Sequence, residues 1–235
     1  MKIVEELPPR LPLSEYEAVA HLSSAAEGLR AAAESVVPLL ERRKVWMVSS
    51  TEQGGGVAEM LPTMLVLLRE LGVDARWAVI ESEESGFFDL TKALHNLIHG
   101  TGDPSVLDDG ARTLYERVCR ENADVLVEAL EPGDILVVHD PQPLPLAGIL
   151  AGRVELRTIW RCHIGLDESN EATEAAWAFL EPYAGDYVQG IFSAAEYVPR
   201  SFRSRSTVLY PAIDPLSPKN RDLSLHRTVG ILSNS

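Results

Sequence analysis

Apolar residues along the chain follow two spacings, and their alternation predicts the secondary structure. Short apolar runs rich in β-branched residues predict strands at 45–50, 74–80, 134–139, 156–162, 187–192 and 206–210. Apolar positions three and four residues apart predict helices at 57–71, 87–99, 105–130 and 170–184, and a short helix at 194–202. Strands that alternate with helices in this way indicate a parallel sheet. We therefore expect an α/β fold with a doubly wound parallel sheet flanked by helices.

The sequence divides into three parts. Residues 1–44 form an N-terminal extension, in which a short proline-punctuated extended segment precedes an alanine-rich helix from about Glu17 to Arg43. Residues 45–210 contain the alternating strands and helices. Residues 211–218 include three prolines and have the composition of a linker.

Polar residues follow several of the predicted strands. Two strands, at 135–138 and 156–160, are almost continuously apolar, as expected of strands that are covered on both faces. In such sheets, ligands bind beyond the carboxyl ends of the strands. Candidate chemistry is therefore expected in the residues that follow each strand.

Three consecutive glycines, Gly54, Gly55 and Gly56, follow the first strand of this domain and open a helix. Without Cβ atoms, their backbone N–H groups can approach a ligand closely, and the helix dipole favours a phosphate or a sugar hydroxyl there. A sharp turn without any ligand is the alternative. The dinucleotide pattern G-x-G-x-x-G would need Gly or Ala where this chain has Glu59, so the glycines do not favour a nicotinamide site.

Asp140, Gln142 and His163 follow the next two apolar strands. Asp140 suits a sugar hydroxyl, but it equally suits the N-cap of a helix that starts near Leu144. Gln142 leaves the same two interpretations open. His163 precedes Gly165 and should lie near the same sheet edge, although a single histidine is often structural.

Lys92, His95 and Asn96 are spaced by three and four residues, so they share one face of a helix. They are candidate ligand-binding residues, and a solvated polar face is the alternative. No other histidine or carboxylate stands at metal-ligand spacing around His163, so we expect no metal. Neither a nucleophile elbow nor a P-loop pattern is present.

The composition of the chain argues against several classes of binding partner. The net charge of −14 provides no basic surface for nucleic acid or for anionic membranes. No run approaches the roughly 18 apolar residues of a membrane span, and no secretory leader is recognisable, which leads us to expect a cytoplasmic protein. Cys119 and Cys162 form no C-x-x-C pair, and both are expected to be buried thiols.

Several motifs together resemble one family. They are Gly54 to Met60, Phe87-Phe88 followed by Thr91-Lys92 and His95-Asn96, His139 to Pro143, and Trp160 to Ile164. In this order they resemble trehalose glycosyltransferring synthase, a retaining GT-B enzyme of glycosyltransferase family 4. The resemblance implies that residues 45–210 are a Rossmann-like acceptor-binding domain, the N-terminal half of a GT-B fold.

The resemblance also implies roles for the candidate residues. The glycine loop would lie near the donor phosphates and the acceptor, while Asp140 and Gln142 would hold acceptor hydroxyls. His163 would contact the donor glucose, which makes Asp140 and His163 the expected catalytic residues. The implied substrates are nucleoside-diphosphate-glucose and glucose, with trehalose as product, and neither a cofactor nor a metal is required.

A GT-B enzyme needs a second domain that carries most of the donor site, and residues 211–235 would hold only the linker and the start of that domain. We expect the 235 residues alone to lack transferase activity. The expected partner is a separate C-terminal domain or a second copy in a homodimer. A sugar-binding or assembly module without chemistry is the alternative function.

Overall fold

The computed structural model of the protein describes residues 1–220 and Ser233, and a seven-stranded sheet lies at its centre. The strand order is β1-β3-β2-β4-β5-β6-β7, and every neighbouring pair is parallel except β1 with β3. The strands are β1 Lys2–Val4, β2 Val45–Ser49, β3 Ala75–Val79, β4 Ile135–His139, β5 Arg157–Cys162, β6 Gln189–Phe192 and β7 Ser206–Val208.

Helices connect most of these strands. They are α1 Leu13–Glu17, α2 Ser23–Val36, α3 Gly56–Glu70, α4 Ser85–Ile98, α5 Asp109–Leu126, α6 Leu146–Leu150 and α7 Glu171–Ala184. Short 3-10 turns lie at Val37–Leu40, Pro104–Val106, Arg200–Phe202 and Pro218–Asn220.

Apolar side chains fill both faces of the sheet. On one face, Leu61 and Leu65 of α3 pack against a cluster that includes Met47, Trp77 and Val137. On the other face, α4, α5 and α7 cover a larger cluster, whose fully buried members include the side chains of Tyr115, Trp160, Leu94 and Val118. Since helices lie on both faces of a mostly parallel sheet, the predicted doubly wound α/β fold is confirmed.

Both cysteines are free thiols buried within the larger cluster, as the sequence predicts. Cys119 lies on α5 and Cys162 ends β5. Burial raises the pKa of each thiol well above its ordinary value, so neither forms a thiolate readily.

The N-terminal segment differs from its prediction. The extended part is β1, which pairs antiparallel with β3. The single helix predicted from Glu17 to Arg43 is wrong, because α1 ends at Glu17 and α2 runs only from Ser23 to Val36. α2 is followed by a 3-10 turn that contains Pro38. Glu41 and Arg42 have left-handed backbone conformations and end this turn.

Two later helices are shorter than predicted. The helix predicted at 105–130 begins at Asp109, because the Asp108 carboxylate accepts a hydrogen bond from the Ala111 N–H at 2.7 Å and caps it. The helix predicted at 194–202 is only the 3-10 turn Arg200–Phe202, which follows Pro199.

After β7, the chain returns to the N-terminal helices. Tyr16 Oη donates to Asp214 Oδ1 at 3.0 Å, and Lys219 Nζ lies 2.6 and 2.7 Å from the two carboxylate oxygens of Glu59. The predicted linker therefore packs against α1 and the first turn of α3. The predicted start of a second domain lies outside the described residues, except for Ser233.

Candidate active site

The glycine loop lies where the chain order of the sheet reverses. β2 leads to β3 on one side and is flanked by β4 on the other, so a crevice opens at their carboxyl ends. Gly54 and Gly55 have φ of 73° and 88°, and Gly56 is the first residue of α3. A Cβ added at any of the three would meet nothing within 4 Å, which means that the loop faces open space.

No side chain caps α3, because its N-cap is Gly55. The first N–H groups of a helix have no intrahelical acceptor, so they are available to a ligand that approaches from the open side. The three glycines thus build an exposed donor surface at the mouth of the crevice.

A cleft of about 1580 Å³ adjoins this loop. Its walls come from the loop after β2, the loop after β3, and α4. It brings together six of the predicted site residues, namely Gly54, Gly55, Lys92, His95, Asn96 and Gln142. The lining does not include Asp140 and His163, which follow β4 and β5, or Gly56, which starts α3.

The wall after β3 is fixed by Asn122, which sequence reasoning missed. Its amide oxygen accepts from the Glu81 N–H at 2.9 Å, and its Nδ2 donates to the Glu81 carbonyl at 2.7 Å. The opposite wall is fixed by Lys2, whose Nζ lies 2.6 and 2.8 Å from the carboxylate oxygens of Glu52. Only a buried asparagine in an otherwise apolar helical stripe could have pointed to Asn122.

Gln142 presents an unused acceptor. Its Oε1 is buried and has no hydrogen-bond partner among the described residues. The backbone beside it is held by the Tyr115 hydroxyl, which donates to the Pro141 carbonyl, and by the Cys119 thiol, 3.6 Å from the Gln142 carbonyl. Because buried acceptors normally have a donor, this oxygen is open to a water or to a ligand that carries N–H or O–H groups.

Asp140 is not the N-cap that the sequence allowed as an alternative. α6 starts at Leu146 after Pro145, with no side-chain cap. Asp140 instead has a left-handed φ of 60°, and its Oδ1 accepts from the backbone N–H of His163 at 2.8 Å. Trp160 Nε1 donates to the Asp140 carbonyl at 3.0 Å. β5 and the residue after it therefore hold both the backbone carbonyl and the side chain of Asp140. Burial raises the pKa of Asp140 to about 6, against the opposing effects of that hydrogen bond and of Arg161.

His163 pairs with a second histidine. Nδ1 of His139 lies 3.0 Å from Nε2 of His163, and Nε2 of His139 lies 3.5 Å from the Met47 sulfur. Burial lowers the pKa of His139 well below its ordinary value and, with the charge of Arg161, lowers the pKa of His163 to about 4. Both rings are therefore neutral near pH 7.

Arg161 is a buried cation next to Asp140 and the two histidines. Its Nη2 donates to Ser193 Oγ at 3.3 Å and to the Leu209 carbonyl at 3.0 Å, which joins the ends of β5, β6 and β7. Its Nη1 is buried without a partner among the described residues. Sequence reasoning did not single out this residue, since an arginine within an apolar strand has no characteristic spacing.

The cleft lining is rich in carboxylates. They are Glu52, Glu81, Glu83, Glu84 and Glu121, against the two lysines Lys2 and Lys92. Three of these carboxylates are paired, Glu52 with Lys2, Glu81 with the N-terminal amine and Glu84 with Arg117. Among the described residues, Glu83, Glu121 and Lys92 make no ion pair, so the lining keeps a small excess of negative charge. Such a lining disfavours a free anion and suits a neutral ligand with many hydroxyl groups. On α4, burial and the neighbouring His99 lower the pKa of His95.

Within residues 1–220 and Ser233, no group of three His, Cys, Asp or Glu side chains is placed to hold a metal ion. The same residues contain no helix long and apolar enough to cross a membrane.

The profile of the family described as trehalose synthase, N-terminal domain, matches residues 47–199, which include the loop, the histidine pair and all of the cleft lining except Met1 and Lys2. This chain belongs to that family. The trehalose synthase of Rubrobacter xylanophilus is 38% identical over 187 residues, which are 79% of this chain and 44% of the relative. That of Thermococcus litoralis is 37% identical over 201 residues, which are 85% of this chain and 46% of the relative.

The chain thus spans less than half the length of the curated relatives it matches. A solved E. coli trehalose-6-phosphate structure bound with UDP-2-fluoro glucose superposes with a TM-score of 0.57 at 19% identity. The match covers 81% of this chain and 54% of that one. At this identity the likeness concerns the fold, which is that of GT-B glycosyltransferases.

Acidification is expected to destabilise the folded protein below about pH 6.5. His139 and His163 have lowered pKa values in the folded state, so the unfolded chain binds more protons in acid. The free energy of unfolding therefore decreases as the pH decreases. Asp140, with a raised pKa of about 6, acts in the opposite sense: its protonation favours the folded state, and that contribution is lost as pH rises from 3.8 towards 6. Asp140→Asn removes this opposing contribution. The free energy of unfolding, measured in urea, should then fall more steeply as the pH is lowered from 6 to 4, with a slope that is greater than that of the wild type by about 1.4 kcal/mol per pH unit. Equal slopes for the two proteins would contradict the assignment.

Proposed function

We propose that this chain is the acceptor-binding half of a retaining glucosyltransferase, which makes trehalose from nucleoside-diphosphate-glucose and glucose. The observation that carries this proposal is the cleft at the switch point of the sheet, which is lined by the open glycine loop and by Gln142 with its unpartnered oxygen. Family membership supports the same assignment.

The acceptor is a neutral sugar. Hydroxyl groups of glucose both donate and accept, which matches the free oxygen of Gln142 and the polar side chains of Lys92, His95 and Asn96. The carboxylates around the cleft repel a sugar phosphate more than they repel glucose. Asp140 completes this side through its second carboxylate oxygen, since Oδ1 is engaged by the His163 N–H.

The donor lies on the side of the glycine loop and His163. The bond between the anomeric carbon and the leaving phosphate oxygen breaks while the glucose hydroxyl attacks from the same face and passes its proton to that phosphate oxygen, so the configuration is retained. Negative charge grows on the leaving diphosphate, and the uncapped N-terminus of α3 stabilises it. His163 positions the donor glucose by accepting a hydrogen bond from one of its hydroxyls. No protein nucleophile is needed, and catalysis consists of positioning and charge stabilisation.

Calorimetric titration of the 235-residue protein tests this function. We expect glucose to bind, glucose 6-phosphate to bind more weakly, and Gln142→Leu to weaken glucose binding by about tenfold through the loss of one hydrogen bond. The matched control is Gln189→Leu, because Gln189 bonds to Thr207 outside the cleft and should leave glucose binding unchanged. We also expect no trehalose from nucleoside-diphosphate-glucose and glucose with these residues alone.

The proposal would be overturned by a protein that does not bind glucose, by a preference for the sugar phosphate, or by equal effects of the two glutamine substitutions. Binding with no transfer in the complete enzyme would favour the sugar-binding module instead.

A further inference from the structure

The two histidines at the ends of β4 and β5 lie edge to edge. Their ring planes differ by only 11° and their centroids are 5.3 Å apart, while Nδ1 of His139 and Nε2 of His163 approach to 3.0 Å. This distance is shorter than the contact between stacked ring faces, so the two nitrogens share an in-plane hydrogen bond. One nitrogen must donate and the other must accept.

Met47 decides which nitrogen donates. The Met47 sulfur lies 3.5 Å from Nε2 of His139, and a thioether can accept a hydrogen bond but has no proton to give. His139 is almost fully buried, with 2% exposure, so no solvent donor reaches this nitrogen. A bare nitrogen lone pair facing the sulfur lone pairs would be repulsive, whereas an N–H directed at sulfur is attractive. The proton of His139 therefore belongs on Nε2.

The position of the proton on His139 also decides the position of the proton on His163. With its proton on Nε2, His139 has a lone pair on Nδ1, and this lone pair can only accept. Nε2 of His163 must then carry the proton that is donated. A neutral imidazole has a single N–H, so Nδ1 of His163 is left as an acceptor, and no described residue donates to it.

We propose that Met47 and His139 are positioning residues, which hold His163 in the tautomer protonated at Nε2 so that its Nδ1 accepts a hydrogen bond from a sugar hydroxyl. Asp140 supports this arrangement, because its bond to the His163 N–H fixes the backbone that carries the ring. The lowered pKa of both histidines is consistent with neutral rings. The hydroxyl partner rests on the proposed function, whereas the tautomer does not.

Long-range ¹H–¹⁵N correlation spectra of the ¹⁵N-histidine-labelled protein at pH 7 test the tautomer without any ligand. Signals are assigned through His139→Gln and His163→Gln. We expect Nδ1 of both His139 and His163 to resonate as unprotonated nitrogens and both Nε2 atoms as protonated ones. A protonated Nδ1 on His163 would overturn the proposal.

Met47→Leu tests the role of the sulfur at nearly constant volume. We expect the Nδ1 signal of His163 to shift towards the protonated position, because His139 loses the acceptor that fixed its proton. Met64→Leu is the matched control, since Met64 packs in the same apolar cluster and should leave both rings unchanged. Identical spectra for the wild type and Met47→Leu would remove Met47 from the proposal.

The ligand step has its own readout. In the complete two-domain enzyme, addition of nucleoside-diphosphate-glucose is expected to shift Nδ1 of His163 in the direction of a nitrogen that accepts a hydrogen bond, and to leave Nδ1 of His139 in place. If the tautomer is as proposed but no sugar shifts Nδ1, the assignment of the hydroxyl fails together with the donor role of His163, and the tautomer remains.

Discussion

Replacing Trp160 with alanine is expected to lower the free energy of unfolding by about 3–5 kcal/mol. The Trp160 side chain is 1% exposed, and its ring lies among those of Trp177, Phe192 and Phe202 at centroid distances of 6.1, 5.6 and 5.3 Å. Its removal opens a cavity in the larger apolar cluster, and unfolding in urea followed by circular dichroism measures the loss.

The same substitution should also reach the site, because Trp160 Nε1 holds the carbonyl of the left-handed Asp140. Trp160→Phe separates the two effects. It keeps most of the ring packing but leaves the Asp140 carbonyl without this donor, at a cost of about 1–3 kcal/mol. We expect both variants to weaken glucose binding. Normal glucose binding by a folded Trp160→Phe protein would show that Asp140 does not depend on this bond.

Gly55→Ala is expected to destabilise the domain by about 1–3 kcal/mol, through backbone strain alone. Gly55 has φ of 88° and ψ of 160°, a conformation that only glycine adopts without strain, yet an added Cβ would contact nothing within 4 Å. The strained loop should also relax and move its N–H groups, which weakens donor binding.

Gly56→Ala is the matched control for this loop. It adds the same methyl group to the same open space, but Gly56 is the first helical residue and its φ is not positive. We expect it to leave stability unchanged or to raise it by about 0.4–1 kcal/mol. Equal unfolding free energies for the two alanine variants, measured in urea, would argue against conformational strain at Gly55.

The regular elements of the domain were readable from local pattern. β4 and β5 follow from their apolar runs, and α3 follows from its apolar spacing and the preceding glycines. The N-terminal helix was overestimated, because the alanine-rich composition favours helix throughout, whereas Pro38 and the turn at residues 18–22 interrupt it. Helix propensity is a weak signal when few side chains of a helix are buried, and in α2 only Ala26 is.

The candidate site was only partly readable, since its positions follow from strand ends but its contacts do not. The switch point places Gly54 and Gln142 at one cleft, as the rule for parallel sheets predicts. The bond between Asp140 and the His163 N–H joins residues on neighbouring strands, and the pairing of His139 with His163 depends on strand register. Neither contact can be predicted until the strand pairing is known. Arg161 was overlooked for the same reason, because its hydrogen bonds also join neighbouring strands.

The two buried thiols also make this domain its own folding probe. Cys119 and Cys162 lie in the cluster that spans α5 and β5, and neither is exposed in the folded state. A thiol reagent can therefore react with them only when that cluster opens, so the labelling rate reports the free energy of opening of the larger apolar cluster. For the same reason, a cysteine introduced at the exposed position of Asn96 could carry a fluorophore beside the cleft without removal of the native thiols.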